Sequence, residues 1–271
     1  MPDHTDFYVK FWGVRGSTAC PGSDHLRYGG NTSCLEIRCG DRLLILDAGT
    51  GIRQLGAQQP RSAEILFTHG HIDHICGMPF FAPAYQPGNR FRIWSAENRA
   101  EAALAALMSS PLFPVSPEMF GAEIEFKEFE PGATVEPGPG IVVATAPLNH
   151  PQEAIGYRIC HAGRSICYVT DTEHRVGEPD DLVLELIAGA DLVIYDSTYT
   201  DEEFPDHVGW GHSTWQEGVR LCEAAGAGHL VLFHHDPSRD DAALDTIGAE
   251  AHRRRPGTVV AREGMVLVPG A

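Results

Sequence analysis

The sequence has few basic residues and no apolar run long enough to cross a membrane. Lys and Arg together number 20 against 37 Asp and Glu, which gives a formal net charge of −17. Because DNA and tRNA are held mainly by Lys and Arg contacts to phosphates, this balance disfavours a long nucleic acid as partner. No apolar run approaches the roughly 18 residues of a membrane helix, so no membrane association is expected.

Signals for secretion and for disulfide or zinc frameworks are also missing. Residues 1–10, MPDHTDFYVK, lack the basic and then apolar regions of a signal peptide. The seven cysteines are odd in number and form no CxxC pair, which favours reduced thiols in a cytoplasmic protein. The hydrophobic fraction of 43% and charged fraction of 21% are those of an ordinary globular protein.

Short β-like runs alternate with helical runs along the whole chain. The helical runs are residues 98–110, 181–189, 213–225 and 240–254, and a Pro-rich segment at 109–121 breaks the pattern. The remaining hydrophobic stretches are short and end at turn residues, which is typical of strands. Since no linker or low-complexity stretch interrupts them, we predict one α/β domain over residues 1–271, with two packed sheets and helices outside.

The stretch FTHGHIDHICG, residues 67–77, contains three histidines and an aspartate within six positions. His69 and His71 are two apart at the end of a strand-like run, so both imidazoles can point at one ion. Asp73 and His74 follow on the turn and can reach a second position. Imidazole and carboxylate without thiolate are typical of catalytic zinc, manganese or iron sites. The alternative is a chance cluster of core or surface histidines.

The remaining ligands are expected where other apolar runs end, because functional loops project from strand ends. ATAPLNH ends in His150, CYVTD ends in Asp171, and HLVLFHH ends in His234 and His235. Asp171 could instead be a helix cap or turn residue, since Asp favours both.

Five segments in this order resemble the metallo-β-lactamase superfamily. They are THGHIDHICG, APLNHPQEAIGYRI, YVTDTEH, GHSTWQEG and LVLFHHDP, and the N-terminal FWGVRGS and YGGNTSC fit the same pattern over nearly the whole chain. The HST motif is most similar to the ribonuclease Z and cyclic-phosphodiesterase branch. The resemblance implies a four-layer αββα sandwich with a dinuclear site at one edge of the two sheets.

The resemblance also implies a ligand set for two divalent metal ions, with zinc favoured and manganese or iron as alternatives. By position, His69, His71 and His150 would hold one ion. Asp73, His74 and His234 would hold the other, and Asp171 would bridge the two. His234 directly follows LVLF and is therefore favoured over His235, although the doublet leaves both open.

Two such ions can lower the pKa of a bound water molecule towards 7 and share the hydroxide that forms, so hydrolysis is the expected reaction. The predicted catalytic residues are Asp73, Asp171 and His212. In the branch, the histidine of HST assists the leaving alkoxide or orients the phosphate, and here that residue is His212. The alternative is that His212 and Ser213 only cap the following helix.

Three further polar residues are candidates for roles around this site. Asp196 could hydrogen-bond a ligand histidine or His212. Asp47 is interpreted as a structural residue that holds the following turn, and Asn31 as a residue that could face the pocket.

The expected substrate is a small phosphodiester, such as a cyclic nucleotide or a cyclic phosphate. Ribonuclease Z carries a projecting arm for tRNA, but here only HAGR separates two strand-like runs. Phe113, Met119 and Phe120 could form a lid or pack on the domain. Alternatives are a carboxylic ester, lactone or thioester hydrolase, a tRNA 3′ processing endonuclease, and a non-enzymatic sensor. The resemblance also allows a homodimer, since family members are often dimers.

Overall fold

The computed structural model describes residues 6–97 and 99–270, in which strands form two seven-stranded sheets. In the first sheet the strands follow the order β14-β1-β2-β3-β4-β5-β6. Their bounds are β1 Phe7–Gly13, β2 Cys34–Cys39, β3 Arg42–Leu46, β4 Ser62–Leu66, β5 Arg90–Ala96, β6 Glu123–Phe129 and β14 Val266–Leu267.

The second sheet follows the order β13-β12-β11-β10-β9-β8-β7. Its strands are β7 Thr134–Gly138, β8 Ile141–Leu148, β9 Ala154–His161, β10 Arg164–Val169, β11 Leu192–Asp196, β12 His229–Phe233 and β13 Val259–Val260. In each sheet one half is parallel: β3 to β6 in the first sheet, and β10 to β13 in the second. The carboxyl ends of neighbouring parallel strands therefore lie along one edge of each sheet.

Within the described ranges, six α-helices accompany the sheets. They are α1 Ile52–Gly56, α2 Ile72–Ile75, α3 Arg99–Leu107, α4 Asp181–Ile187, α5 Trp215–Ala224 and α6 Asp241–Arg254. Each of the last three begins at a side-chain N-cap, because Asp180, Thr214 and Asp240 accept hydrogen bonds from backbone N–H groups in the first turn.

Three groups of buried hydrophobic residues define the layers. The largest lies between the sheets and joins side chains such as Val9 and Ile37 of the first sheet to Val143 and Ile166 of the second. A second group packs α4, α5 and α6 on the outer face of the second sheet. A third packs α1 and α3 on the outer face of the first. The predicted four-layer αββα sandwich is confirmed.

The sequence pattern missed one strand and shortened or lengthened others. β7, with sequence TVEPG, lies at the edge of the second sheet. An edge strand tolerates Pro137, which has no backbone N–H to donate. The strand-like run 258–263 contributes only the two residues of β13. Within the Pro-rich segment, the only regular structure is a short 3-10 helix at Pro117–Met119. Among the described residues, no helix is both long and apolar enough to span a bilayer.

Candidate metal centre

The seven side chains predicted as metal ligands lie in two neighbouring groups. The first group is His69, His71 and His150, and the second is Asp73, His74, Asp171 and His234. Within each group, one donor atom from every residue lies within 4.8 Å of the others. The fold therefore brings together ligand-type residues from four separate parts of the sequence.

Asp171 lies between the two groups and presents a different oxygen to each. Its Oδ2 is 3.2 Å from His74 Nε2 and 3.3 Å from His234 Nε2. Its Oδ1 is 3.9 Å from the Nε2 atoms of both His69 and His150. A carboxylate placed in this way can contact two cations at once, one in each group.

Three imidazole nitrogens in the centre make no hydrogen bond among the described residues, although Asp171 Oδ2 lies within 3.3 Å of two of them. These are the buried Nε2 atoms of His69, His74 and His234. Buried polar atoms in proteins are almost always paired, so unpaired ones grouped in one place indicate a site for a water molecule or an ion. Since imidazole nitrogens and carboxylate oxygens are the donors that catalytic zinc sites use, the residues present fit divalent cations.

The opposite ring nitrogens of the histidines are held by neighbouring groups. The pairs are His69 Nδ1 with Thr68 Oγ1 at 3.0 Å, His150 Nδ1 with the Gly211 carbonyl at 2.7 Å, and His234 Nδ1 with Thr198 Oγ1 at 3.2 Å. Such contacts fix the tautomer and the ring orientation of a metal-binding histidine. The other ring nitrogens of these three histidines are thus directed towards the centre.

Asp47 fixes the ring of His74 in the same way. This contact corrects the interpretation of Asp47 as a residue that holds the following turn. His74 Nδ1 donates to Asp47 Oδ2 at 2.8 Å. The Asp47 carboxylate also accepts from the Thr68 backbone N–H and from the Tyr168 hydroxyl. Asp47 directly follows β3, so the turn chemistry of Asp was visible in the sequence, whereas its partner 27 residues away was not.

Three of the residues at strand ends have left-handed backbone conformations. The φ angles are 59° at Asp47, 56° at Asp171 and 60° at His234. Non-glycine residues rarely adopt this region, and it concentrates at functional sites where surrounding contacts hold it. At His234 the ring packs on Gly16, where an added Cβ would lie 2.4 Å from the imidazole.

The charges of the second group stabilise one another. Burial alone would raise the pKa of Asp171, but His234 and His74 outweigh it and hold that pKa well below its usual range. Burial alone would lower the pKa of His74, but Asp171 and Asp73 outweigh it and raise that pKa well above its usual value. Buried carboxylates need such positive partners, and a divalent cation would supply the same compensation.

His212 lies beside both groups and is held by Asp196. Its Nδ1 donates to Asp196 Oδ2 at 3.0 Å, which confirms the expected contact with Asp196. Burial opposes the imidazolium, but the charge of Asp196 outweighs it and raises the pKa of His212 to about 9. Its ring stacks on His234 with centroids 4.9 Å apart. His212 Nε2 has no hydrogen-bond partner within the described ranges.

The alternative that His212 and Ser213 only cap α5 is wrong. The N-cap is Thr214, whose hydroxyl accepts from the Glu217 backbone N–H at 3.0 Å. Ser213 Oγ is instead hydrogen-bonded to His174 Nδ1 at 2.8 Å and to the Tyr195 hydroxyl at 2.9 Å. His212 is therefore two residues before the N-cap and has no capping role.

His235 lies away from the donor groups. Its Nε2 donates to the Ala261 carbonyl at 2.8 Å, and burial lowers its pKa to about 3. His234, by contrast, lies 3.4 Å from Asp73 Oδ2 through its Nε2. The geometry favours His234 as the ligand-type member of the doublet.

The four residues considered for substrate contact either bond to or pack against other parts of the protein, or are exposed to solvent. Asn31 Nδ2 donates to Glu263 at 3.0 Å. Phe113 packs edge-on against Phe80, and Phe120 against Tyr85. Met119 is exposed. These contacts favour packing over a lid for both phenylalanines.

Comparison with known proteins decides the family. A family model described as "Beta-lactamase superfamily domain" matches residues 42–235, which include all seven ligand-type residues. The chain belongs to this superfamily. The predicted resemblance and fold are thereby confirmed.

Individual relatives align with most of the chain. A ribonuclease Z of Gemmatimonas aurantiaca is 26% identical over 275 residues, covering 82% of this chain and 85% of its own. The metallo-β-lactamase fold protein YhfI of Bacillus subtilis has a TM-score of 0.75 at 20% identity and covers 96% of this chain and 98% of its own. A diphosphatase from the PhnP family has a TM-score of 0.71 at 21% identity, covering 96% and 97%. Superfamily membership and the ribonuclease Z relative confirm the prediction of a metal-dependent hydrolase.

Proposed function

We propose that this superfamily member is a phosphodiesterase that uses two divalent cations, zinc foremost and manganese or iron as alternatives, to hydrolyse a small phosphodiester. The observation that carries the proposal is the position of Asp171 between two groups of donors whose buried imidazole nitrogens lack partners. The cations, when bound, would lower the pKa of a water molecule and stabilise negative charge on the phosphoryl oxygens.

Each residue of the centre has a proposed part. His69, His71 and His150 hold one cation. Asp73, His74 and His234 hold the other, and Asp171 contacts both. The Ser17 backbone N–H donates to Asp73 Oδ2 at 2.8 Å, which fixes that carboxylate towards His74 and His234.

His212 is the proposed proton donor to the leaving group. Asp196 fixes the ring through Nδ1, and its negative charge raises the pKa of the imidazole and so favours the protonated form. The Nε2–H is then the proton that can pass to the departing alkoxide. Lactone and ester hydrolysis at such metal centres does not require this residue, so His212 supports the phosphodiester over the carboxylic ester.

The connection between β9 and β10 supports a small substrate. It consists of Ala162 and Gly163, with φ angles of 50° and 77°, which is a tight two-residue hairpin turn. No segment long enough to grip tRNA projects at this point. The net charge of −17 also opposes extended contact with a polyanion. A cytoplasmic location, a single domain and a homodimer belong to the same proposal.

A substrate panel tests the proposal. Metal-loaded protein is expected to hydrolyse bis-p-nitrophenyl phosphate and at least one cyclic nucleotide or cyclic phosphate ester, because the centre provides both a metal-activated nucleophile and a proton donor. Incubation with a chelator should abolish this turnover, and added zinc or manganese should restore it. Product release is measured by absorbance and by phosphorus NMR.

Either of two results would contradict the proposal and assign a different reaction to the centre. Turnover of lactones or thioesters, with phosphodiesters untouched, would assign the centre to carboxylic ester chemistry. Cleavage of a precursor tRNA at its 3′ side, without hydrolysis of small cyclic phosphates, would assign it to tRNA processing.

A further inference from the structure

Trp210 is an exposed aromatic residue close to the metal centre. Its side chain is 62% exposed, while Trp12 and Trp215 are buried. A single exposed aromatic residue needs no explanation by itself. Here the rigidity of its segment, its contacts with the centre and the apolar residues around it point together to a ligand.

The backbone on both sides of Trp210 is tied to one carboxylate. Glu173 Oε2 accepts from the Gly209 N–H at 2.7 Å and from the Gly211 N–H at 2.8 Å. The Trp210 N–H itself donates to the His207 carbonyl at 3.1 Å. Because the segment is held in this way, a ligand that stacks on the indole orders little additional backbone.

A row of aromatic rings connects Trp210 to the catalytic histidine. His207 meets the indole edge-on at a centroid distance of 5.1 Å, and Tyr199 stacks on His207 at 4.2 Å. Tyr199 in turn lies 6.2 Å from His212. The row fixes the position of the indole relative to the atom that would donate the proton.

Apolar surface borders the same region. Val208, two residues from Trp210, is 62% exposed. Ile72 lies between His71 and Asp73 and is 63% exposed, so a bare apolar side chain also stands directly beside the donor groups. A ligand whose reacting group reaches the centre can therefore place an apolar part against these side chains.

We propose that Trp210 stacks on a nucleobase, so that the substrate is a nucleotide phosphodiester and not a cyclic phosphate of an aliphatic alcohol. The inference rests on the proposed function and names the substrate class of that site. Among the cyclic nucleotides and cyclic phosphate esters proposed as substrates, the nucleotides are the ones that present a large planar ring near the phosphorus. The indole offers every base the same flat face, so the contact selects bases as a class over aliphatic groups.

Kinetics with two substrates test the inference. Base stacking on an aromatic side chain is worth roughly 5- to 150-fold in affinity, so Trp210→Leu should raise KM for cyclic adenosine monophosphate by roughly tenfold or more. The change in kcat should be smaller, because His212 and the donor groups are untouched. Trp210→Phe should retain most of the affinity. With the cyclic phosphate of glycerol, the rise in KM should be much smaller. Val266→Ala, on the edge strand β14, is the matched control.

Direct binding separates this inference from the proposed function. Calorimetry on metal-loaded protein should show that Trp210→Leu weakens binding of adenosine monophosphate much more than binding of inorganic phosphate. If the substrate panel found no phosphodiester hydrolysis, the proposed function would fall, while calorimetry would still decide whether Trp210 binds a base. Equal affinities of the wild type and Trp210→Leu for adenosine monophosphate would overturn the inference. Conversion of a dimer to a monomer by Trp210→Leu would likewise overturn it, since the indole would then be a subunit contact.

Discussion

Replacement of Asp171 by Asn is expected to cost turnover on the order of a thousandfold or more, because several kcal/mol of metal-dependent stabilisation would be lost. Asp171 is the residue that presents one oxygen to each donor group, at 3.2 Å from His74 and 3.9 Å from His69. An amide keeps the shape but removes the negative charge that would hold two cations side by side. Asn also tolerates the left-handed backbone at this position, where φ is 56°.

The measurement for Asp171→Asn combines metal content and steady-state kinetics. Elemental analysis after dialysis should show less than the wild-type metal content, and turnover of bis-p-nitrophenyl phosphate should fall in parallel. Asp41→Asn, an exposed residue in the turn between β2 and β3, is the matched control and should behave as wild type. Full metal content and full turnover in Asp171→Asn would contradict the bridging position.

Replacement of His212 by Ala is expected to lower turnover by roughly 10²- to 10⁴-fold for a phosphodiester with an alkyl leaving group, the usual contribution of a positioned proton donor. The loss with a p-nitrophenyl leaving group should be much smaller, because nitrophenolate departs without a proton. Metal content should stay at the wild-type level, since His212 is not one of the seven side chains proposed to hold the cations.

His229→Ala provides the control for His212, as His229 is an exposed histidine at the start of β12, the opposite end from His234. Rates measured side by side with alkyl and nitrophenyl substrates distinguish a proton donor from a structural residue at His212. Equal losses on both substrates would indicate a structural role. A loss of metal in His212→Ala would instead make His212 a ligand, an arrangement that its position beside His150 and Asp171 also permits.

Most of the fold could be predicted because its strands are short, buried and bounded by turn residues. The stretches LVIYD and HLVLF of the parallel half are buried at nearly every position, and such uninterrupted apolar runs are easy to recognise. β7 was not predicted because TVEPG has a single large apolar residue and a proline, a composition typical of an edge strand.

The local part of the candidate centre was visible because its residues are close in sequence. His69 to His74 fall on one strand end and the short helix that follows. His150, Asp171 and His234 could be proposed because each ends an apolar run, and their nearness in space followed from the resemblance to a known superfamily. No pattern in the sequence alone gives the distance between residues so far apart.

The supporting contacts could not be predicted, because they join residues with no common pattern. Asp47 looked like a turn residue until its hydrogen bond to His74 was seen. Likewise, nothing in the sequence connects Glu173 to the N–H groups of Gly209 and Gly211. Serine is a favoured N-cap, yet Thr214 takes that position and Ser213 contacts His174 and Tyr195 instead.

Metal stoichiometry of the wild-type protein tests the central claim most directly. Purified protein, loaded with zinc or manganese and dialysed, should retain about two divalent ions per chain, as expected for paired imidazole and carboxylate sites. Anomalous scattering from crystals of the loaded protein should place one ion by His69, His71 and His150, and the other by Asp73, His74 and His234. A chain that retains no metal after loading, or ions bound only away from these side chains, would contradict the account.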